Sequence, residues 1–439
     1  MKWATAVSRK TSFEDAMLEC AGSVRESLGS GPVTLALVFV TPHFAEFYEG
    51  LHETLMGSLG PGTLLGCSGG GVIGGGEEVE QAPAVTLVAA RLPDVTVRPF
   101  HLDGPLPDLD GPPDAWEGLL GVKQAENPQF VLLADPFSVD PEALLSGLDY
   151  AFPALAKIGG LASGANSPGL NALFMDSKVH SSGLVGVALT GNVVVDTVVA
   201  QGCRPIGGLM QVTRSEGNLL YELDGRPAFS ALEDLFEGMD ERDRALAVRS
   251  LFLGVVMDEF LEEPKAGDFL SRNLGGIDPK SGVVAVGERL QEGMRVRFHL
   301  RDAETSAEDL HAVLGGYEDT LPNKDVVSGA LLFSCLGRGE YLYKKPNFDT
   351  GIFKQHLGEV PVGGFFCNGE IGPVGGTTFL HGYTSSFGLF RPREPGGIEG
   401  VSAPQGDELS DPEPLDPRDA APRDATPRDA GPQEPEPLV

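Results

Sequence analysis

The octapeptide VTLALVFV, residues 33–40, is almost entirely apolar. A strand that is apolar on both faces is typical of a sheet that is covered by helices on both sides. Apolar residues recur at helical spacing before it, over residues 13–28, and after it, over about residues 43–59. Ser12 and Gly29 are suitable residues to begin and end the first of these helices. A buried strand between two helices predicts an α/β protein.

The same alternation of short strands and helices continues to about residue 390. Strand-like runs occupy residues 63–67, 84–90, 130–134, 184–189, 193–200, 294–301, 326–335, 364–368 and 377–390, and further helices are expected from Asp140-Pro141, over 227–239 and from Ser306. This pattern predicts a mixed α and β fold. We expect two similar sheet-and-helix halves packed together and joined near residues 215–225.

Residues 294–301 show the clearest strand pattern, because apolar and basic side chains alternate along them. The basic positions are Arg295, Arg297, His299 and Arg301. Since successive side chains of a strand point to opposite faces, this alternation predicts a half-buried strand with its basic face in water.

We expect four segments along the chain, and composition sets only the last of them apart. They are an N-terminal helical segment over residues 1–30, two domains over 31–220 and 221–393, and a tail over 394–439. The tail contains ten prolines, twelve acidic residues and no aromatic side chain. Such a segment cannot bury enough apolar surface to offset the entropy lost on ordering, so we expect it to be disordered.

The charge of the chain limits its partners. There are 63 acidic and 32 basic residues, which gives a formal net charge of −31. This charge repels nucleic acids and anionic membranes, so we expect neither as a partner. No apolar run reaches the roughly 18 residues of a membrane-spanning helix, and no signal-peptide core is evident. Five cysteines without a Cys-x-x-Cys pair fit a reducing cytoplasm.

Two familiar motifs in the glycine-rich residues 66–76 lack their usual context. Residues 69–74 match G-x-G-x-x-G and residues 66–70 match G-x-S-x-G, and both motifs require a helix directly afterwards. Two glutamates and a proline follow instead. No P-loop motif occurs, and no cysteines and histidines have the spacing of a zinc site. We therefore expect neither a cofactor nor a metal ion.

Glycine-dense polar loops at strand ends form the candidate ligand site. They are residues 66–76, 159–164, 202–207, 335–339 and 366–372. Such loops offer backbone N–H groups and short side chains to small polar ligands. Arg338 could bind a carboxylate and Glu370 an ammonium group, a combination that suits a zwitterion. Alternatively, the glycines only form tight turns, and Arg338 and Glu370 pair with other residues.

The chain resembles the FIST family through these loops. The matching stretches are GCS at 66–68, GLASG at 160–164, QGCRPIG at 201–207, NLLYELDG at 218–225, FSCLGRG at 333–339 and GGFFCNGEIGP at 363–373. In this order they extend the resemblance over about residues 30–390. One departure is Val72, which stands where the family's first loop usually has a glutamate.

The resemblance implies a FIST N-terminal domain over residues 31–220 and a FIST C-terminal domain over 221–393. It also implies a sensory module that binds a small molecule, with amino acids among the proposed ligands. Eukaryotic members carry an F-box, for which the roughly 30 residues before the first buried strand leave no room. The expected function is that of a stand-alone module whose output lies in an unknown signalling protein.

We expect the loops that carry the resemblance to hold the ligand. The candidate ligand-binding residues are Cys67, Ser68, Gly160, Ser163, Arg338, Cys367, Asn368, Gly369 and Glu370. No catalytic residue is assigned.

Two alternatives from other functional classes remain open. The first is an enzyme with Cys67, Ser68 or Cys367 as nucleophile, for which His356 or His381 is a candidate base of Cys367. The second is an adaptor whose acidic surface or tail recruits a basic protein.

Overall fold

One arrangement of strands and helices occurs three times along the chain. The computed structural model describes residues 1–108 and 111–393. The predicted disordered tail, residues 394–439, lies outside these described residues. We call each occurrence of this arrangement a unit.

Unit one spans residues 2–91. Its elements are β1 (Lys2–Ser8), α1 (Phe13–Leu28), β2 (Leu35–Val40), a 3-10 helix (Pro42–Gly50), α2 (Leu51–Ser58), β3 (Thr63–Ser68), β4 (Gly71–Gly74), β5 (Glu77–Glu80) and β6 (Val85–Arg91). Every residue of β2 is buried, as the apolar octapeptide predicts. The predicted ends of α1 are confirmed, because Ser12 Oγ accepts a hydrogen bond from Asp15 N and Gly29 follows the last helical residue. The strand β1, which precedes the expected N-terminal helix, was not predicted.

Unit two spans residues 95–191. Its elements are β7 (Val95–Leu102), α3 (Asp114–Leu120), a 3-10 helix (Gln124–Glu126), β8 (Gln129–Ala134), α4 (Pro141–Ala151), β9 (Lys157–Leu161), β10 (Leu173–Met175), β11 (Lys178–His180) and β12 (Leu184–Gly191). Asp140 caps α4 by accepting a hydrogen bond from Ala143 N at 3.1 Å. Pro141 occupies the first turn, as the sequence predicted.

Unit three begins with β13 (Val194–Ala200) and is then interrupted by an insert over residues 203–301. The elements of the insert are β14 (Cys203–Glu216), β15 (Leu219–Leu223), β16 (Arg226–Pro227), α5 (Ala228–Gly238), α6 (Glu241–Ser250), β17 (Leu251–Val256), β18 (Phe269–Asp278), β19 (Val283–Val286) and β20 (Arg295–Arg301). Strand β14 pairs with both β20 and β15, so the sheet of the insert closes on itself. Cys203 pairs with Arg301 across β14 and β20. The chain therefore enters and leaves the insert at one place.

Unit three resumes after the insert and ends at residue 391. Its remaining elements are α7 (Ala303–Thr320), a 3-10 helix (Lys324–Val326), β21 (Gly329–Cys335), α8 (Gly339–Tyr343), α9 (Phe348–Leu357), β22 (Val362–Cys367), β23 (Glu370–Val374), β24 (Thr377–His381) and β25 (Ser385–Arg391). The helix predicted from Ser306 begins three residues earlier, because Asp302 caps it by accepting a hydrogen bond from Thr305 N at 2.8 Å. The single strand predicted over 377–390 is two strands.

The three units exchange hairpins in a cycle. In each unit two neighbouring parallel strands form the centre of a sheet: β2 and β3, β8 and β9, β21 and β22. Each sheet is then completed by a hairpin from another unit. Hairpin β10–β11 pairs with β3, β23–β24 pairs with β9, and β4–β5 pairs with β22. Because each of these three sheets includes a hairpin from another unit, the three units form one body.

The mixed α and β class is confirmed, and the two expected halves resolve into three units with an insert. The predicted domain boundary between residues 220 and 221 falls inside β15, in the sheet of the insert. No helix within the described part of the chain is long and apolar enough to span a membrane.

The second parallel strand of each unit has a glycine that lies against the backbone of the first parallel strand. A Cβ atom on Gly66 would lie 2.0 Å from Val38 O, and one on Gly364 would lie 1.7 Å from Leu332 O. Gly159 has the same relation to the strand beside it, at 1.8 Å. A side chain at these positions would overlap the neighbouring backbone, so the close pairing of the parallel strands requires glycine.

The basic face predicted for residues 294–301 is only partly in water. Arg295 and Arg297 are half-buried, but His299 is fully buried and Arg301 is only 6% exposed. The prediction is wrong at these two positions, because His299 packs against Ser271 and Phe269 of the insert and unit three covers Arg301. Arg301 Nη2 donates a hydrogen bond to Gly337 O of that unit.

Candidate functional site

The ends of strands β3, β9 and β22 meet at one point in the body. Ser163, which follows β9, is fully buried there and contacts both other units. Its hydroxyl donates a hydrogen bond to Phe366 O and accepts one from Gly70 N at 2.8 Å. Its backbone N donates to Ser68 O at 3.2 Å. Ser163 therefore joins the three units to one another.

Asn368 and Gly369 complete this junction from unit three. Asn368 donates from its backbone N to Leu161 O at 3.1 Å and from Nδ2 to Ala162 O at 3.3 Å. Gly369 O accepts from Leu161 N at 2.8 Å. The structure thus brings several of the predicted residues together, and it uses their polar groups to hold the units in register.

Three more predicted residues, Cys67, Cys367 and Gly160, pack into the same junction. A Cβ atom on Gly160 would lie 2.5 Å from Cys367 Sγ, so glycine is required for this contact. Burial raises the pKa of both thiols well above the ordinary value of 9.0. Both thiols are therefore protonated at neutral pH and act as small apolar groups. The hydroxyl of Ser68 accepts a hydrogen bond from Ala172 N at 3.1 Å.

Arg338 lies directly before α8 and is fully buried. Its Nε donates to Asp349 Oδ2 at 2.9 Å, and its Nη2 donates to Asp349 Oδ1 at 3.1 Å and to Tyr343 Oη at 2.5 Å. Burial opposes the charge of the guanidinium, but Asp349 more than compensates and raises the pKa of Arg338. Arg338 is thus a fixed cation, and the two N–H donors of its Nη1 have no partner among the described residues.

Glu370 is the first residue of β23 and is also fully buried. Its Oε2 accepts hydrogen bonds from Thr384 Oγ1 at 2.7 Å and Thr384 N at 3.1 Å. Its Oε1 has no partner among the residues that the structure describes. Burial raises the pKa of Glu370 to about 8, although the charges of Arg338 and Arg301 act in the opposite direction. The carboxyl group is therefore mostly protonated at neutral pH.

Arg338 and Glu370 therefore offer complementary unused atoms in one buried region. Their charges interact, since Arg338 lowers the pKa of Glu370. One atom is an N–H donor on a cation, and the other is an oxygen that accepts once it is ionised. A molecule with a carboxylate and an ammonium group carries the matching pair of charges.

The residues that support this pair were not predicted from the sequence. Asp349 and Tyr343 orient Arg338, and Thr384 orients Glu370. Asp349 lies on α9, eleven residues after Arg338, in a segment without any motif. Only the presence of an acidic residue on the helix after the loop could have suggested it.

A cavity of about 480 Å³ lies between the insert and unit three. We call it the junction cavity, and the name refers to the insert and unit three, not to the place where the three units meet at Ser163. Unit three contributes Gly337, Tyr341 and Tyr383 to its wall. The insert contributes residues of α5, α6, β17, β18 and the end of β20, where Arg301 lies. Arg301 also lowers the pKa of Glu370. Neither Arg338 nor Glu370 is among the described residues that line the cavity, so Arg301 is the group that relates the two regions.

The structure does not bring the candidate base residues to the thiols. His356 bonds with Glu318 at 3.0 Å and with His311 at 3.0 Å. His381 is buried, shares a hydrogen bond with Gly372 O at 3.0 Å, and has its pKa lowered by burial to about 4. In the described ranges, no group of three or more His, Cys, Asp and Glu residues is arranged to hold a metal ion.

Comparisons with known proteins identify the same family over both parts of the chain. The FIST N domain profile matches residues 34–226, and the FIST C domain profile matches residues 228–373. An uncharacterized protein of Mycobacterium tuberculosis is 36% identical over 390 residues, which are 89% of this chain and 100% of that protein. The profiles meet between β15 and α5, inside the insert.

Two more distant likenesses extend the comparison. An F-box/LRR-repeat protein of Arabidopsis thaliana is 29% identical over 185 residues, which are 38% of this chain and 34% of that protein. The crystal structure of cyanuric acid hydrolase from A. caulinodans aligns with 89% of this chain and 99% of its own, at 10% identity. Its TM-score of 0.29 is too low to carry an argument about fold or function.

Proposed function

The chain belongs to the FIST family, whose domains are sensory modules of signal-transduction proteins, and on this premise we propose that it binds a small zwitterion between Arg338 and Glu370. An amino acid is the simplest ligand of this kind. The proposed role is to report the presence of that ligand to a separate signalling protein in the cytoplasm.

The observation that carries the proposal is the pair of unused atoms, Arg338 Nη1 and Glu370 Oε1. Leaving a buried polar atom without a partner costs about 1–3 kcal/mol, and more where the group is charged. A ligand carboxylate on Nη1 and a ligand ammonium group on Oε1 would recover that cost. The ligand would thereby be selected for both of its charges.

Because Glu370 is mostly protonated in the free protein, its ionisation is coupled to the binding of the ligand's ammonium group. The free protein holds this carboxyl mostly neutral at pH 7, because its pKa is about 8. An ammonium group beside Oε1 favours the ionised form, so binding releases a proton. Affinity for a zwitterion is therefore expected to rise as the pH increases through 8.

In this proposal the other candidate residues hold Glu370 in position and do not bind the ligand themselves. Ser163, Asn368 and Gly369 fix the loop from which β23 starts, and Glu370 is the first residue of that strand. Cys67, Ser68, Gly160 and Cys367 fill the junction of the three units. We propose that they set the position of Glu370 and do not touch the ligand's charged groups.

The test is a thermal-shift screen of the twenty amino acids and of analogues that lack the amine or the carboxylate. A ligand at a hundred times its dissociation constant adds roughly 2.7 kcal/mol of stability. The proposal predicts a shift with at least one amino acid and none with its single-charge analogues. A shift that is equally large for the carboxylate alone would remove Glu370 from the site, and no shift with any amino acid would refute the proposal.

The matched variants are Glu370→Gln and Glu78→Gln. Glu78 is also buried, burial also raises its pKa to about 8, and its Oε2 also lacks a partner among the described residues. Its Oε1 accepts hydrogen bonds from Thr350, just as Oε2 of Glu370 accepts them from Thr384. The proposal expects E370Q to abolish the shift and E78Q to retain it.

A further inference from the structure

The junction cavity has a charge that differs from that of the rest of the molecule. Among the residues that the structure describes, its wall includes Arg249 and Arg301 and no acidic residue. The whole chain, in contrast, carries 63 acidic residues against 32 basic ones. A concave site with cationic groups and no carboxylate in its wall concentrates anions, even on an acidic protein.

Arg301 is held in place with most of its donors unused. It is 6% exposed, and its guanidinium carbon lies 4.9 Å from the centre of the Tyr383 ring. Among the described residues it donates one side-chain hydrogen bond, from Nη2 to Gly337 O. Since a guanidinium has five N–H donors in a rigid fork, the remaining ones suit the two oxygens of a carboxylate.

Tyr383 is strained in the position where it supports Arg301. Its φ angle is +68°, a left-handed conformation that an aromatic residue rarely adopts. The ring centre lies 4.3 Å from that of Phe252 of the insert, and the hydroxyl donates a hydrogen bond to Asn273 Oδ1. Such strain persists only where the surroundings fix it, and it is often found at ligand sites.

The cavity wall thus combines cationic side chains with apolar ones. The apolar side chains include Phe252, Tyr383, Leu274 and Phe236. The cavity volume of about 480 Å³ falls within the roughly 300–1,000 Å³ of small-molecule sites. We propose that the junction cavity is a second ligand site that binds a small aromatic carboxylate, with the carboxylate on Arg301 and the ring against Tyr383 and Phe252. This inference goes beyond the zwitterion site and does not depend on it.

The test measures binding of benzoate by isothermal titration to the full-length protein, with benzamide as the uncharged probe of the same shape. We expect benzoate to bind and benzamide to bind at least about tenfold more weakly, a difference of 1.4 kcal/mol. Arg301→Lys keeps the positive charge and loses the planar fork, so it should weaken benzoate at least about tenfold. Arg249→Gln, on the exposed surface of α6, should weaken it about threefold.

The control is Arg242→Gln, which removes an arginine from the same helix, α6, at a position outside the cavity wall. Benzoate should bind this variant as it binds the unaltered protein. Equal affinities for benzoate and benzamide, no benzoate binding at about 10 mM, or unchanged affinity in R301K would each overturn the inference. Benzoate lacks an ammonium group, so Glu370→Gln should leave its binding unchanged. Loss of the zwitterion site and loss of this site are therefore distinguishable.

Discussion

Arg338 and Asp349 form a fully buried, two-pronged ion pair, with Nε to Oδ2 at 2.9 Å and Nη2 to Oδ1 at 3.1 Å. The pair uses N–H donors of Nε and Nη2 on one side of the guanidinium. On the other side, Nη1 has no hydrogen-bond partner among the described residues. Asp349 also accepts hydrogen bonds from Ser334 at 3.2 Å and Ser385 at 2.6 Å. Arg338 is consequently immobile before any ligand arrives.

Replacing Arg338 by methionine should destabilise the protein by about 3–5 kcal/mol, because Asp349 would keep a buried charge without its partner. Urea unfolding measures this loss. R338M/D349N should recover part of it, since no unpaired charge remains. Arg242→Met, which removes an exposed ion pair with Glu304, serves as the control and should unfold like the unaltered protein. An R338M variant of unchanged stability would show that the buried pair is not formed.

The raised pKa of Glu370 predicts a pH dependence of stability with a definite sign. The pKa is about 8 in the folded protein, against an ordinary value of 4.5. The folded state therefore binds this proton more tightly than the unfolded state. The resulting stabilisation is fully present below pH 4.5 and is lost as the pH rises through 8.

Urea unfolding between pH 5 and 9 tests this prediction when the unaltered protein is compared with E370Q. The free energy of unfolding should fall more steeply with pH in the unaltered protein, because glutamine has no proton to lose. Parallel pH profiles would mean that Glu370 is ionised over the whole range from pH 5 to 9, and that burial does not raise its pKa.

The close backbone approach that the three units share predicts that a larger residue in place of these glycines destabilises the protein. Gly364→Ala should cost about 3 kcal/mol, because the new Cβ would lie 1.7 Å from Leu332 O. Gly351, inside α9, has no atom near its virtual Cβ, so Gly351→Ala should stabilise by up to about 1 kcal/mol. Thermal unfolding of the two variants decides the matter. A tolerated G364A would contradict the tight pairing of β21 and β22.

The buried thiols should be unreactive in the folded protein. Burial raises the pKa of Cys67 and Cys367, so little thiolate is present at pH 7. Iodoacetamide should label both more slowly than a free thiol, and at the same rate as a free thiol in urea. Fast labelling of either residue without urea would restore the nucleophile hypothesis.

Local sequence patterns predicted many of the elements but not the three-unit arrangement. The apolar run at 33–40 and the caps of α1 and α4 are short-range signals, and the structure confirms them. The exchange of hairpins is long-range, because β4 pairs with β22 almost 300 residues later. No local periodicity records which strands become neighbours. The insert also hid the third unit, since it separates β13 from α7 by about a hundred residues.

The candidate site was predictable as a set of loops and only partly as chemistry. Glycine density at strand ends pointed to the residues where three units meet, including Ser163 and Asn368. It could not show that their polar groups are used between units. The opposite charges of Arg338 and Glu370 could be read from the sequence. Their burial and unused atoms depend on Asp349 and Thr384, which only the fold brings to them.

The most direct test of the zwitterion site is the affinity of the amino acid that gives the largest thermal shift, determined by isothermal titration at pH 7. We expect E370Q to weaken this affinity at least about tenfold and E78Q to change it by less than about twofold. Equal affinities of E370Q and the unaltered protein would contradict the zwitterion site, because the ammonium group would then be recognised elsewhere.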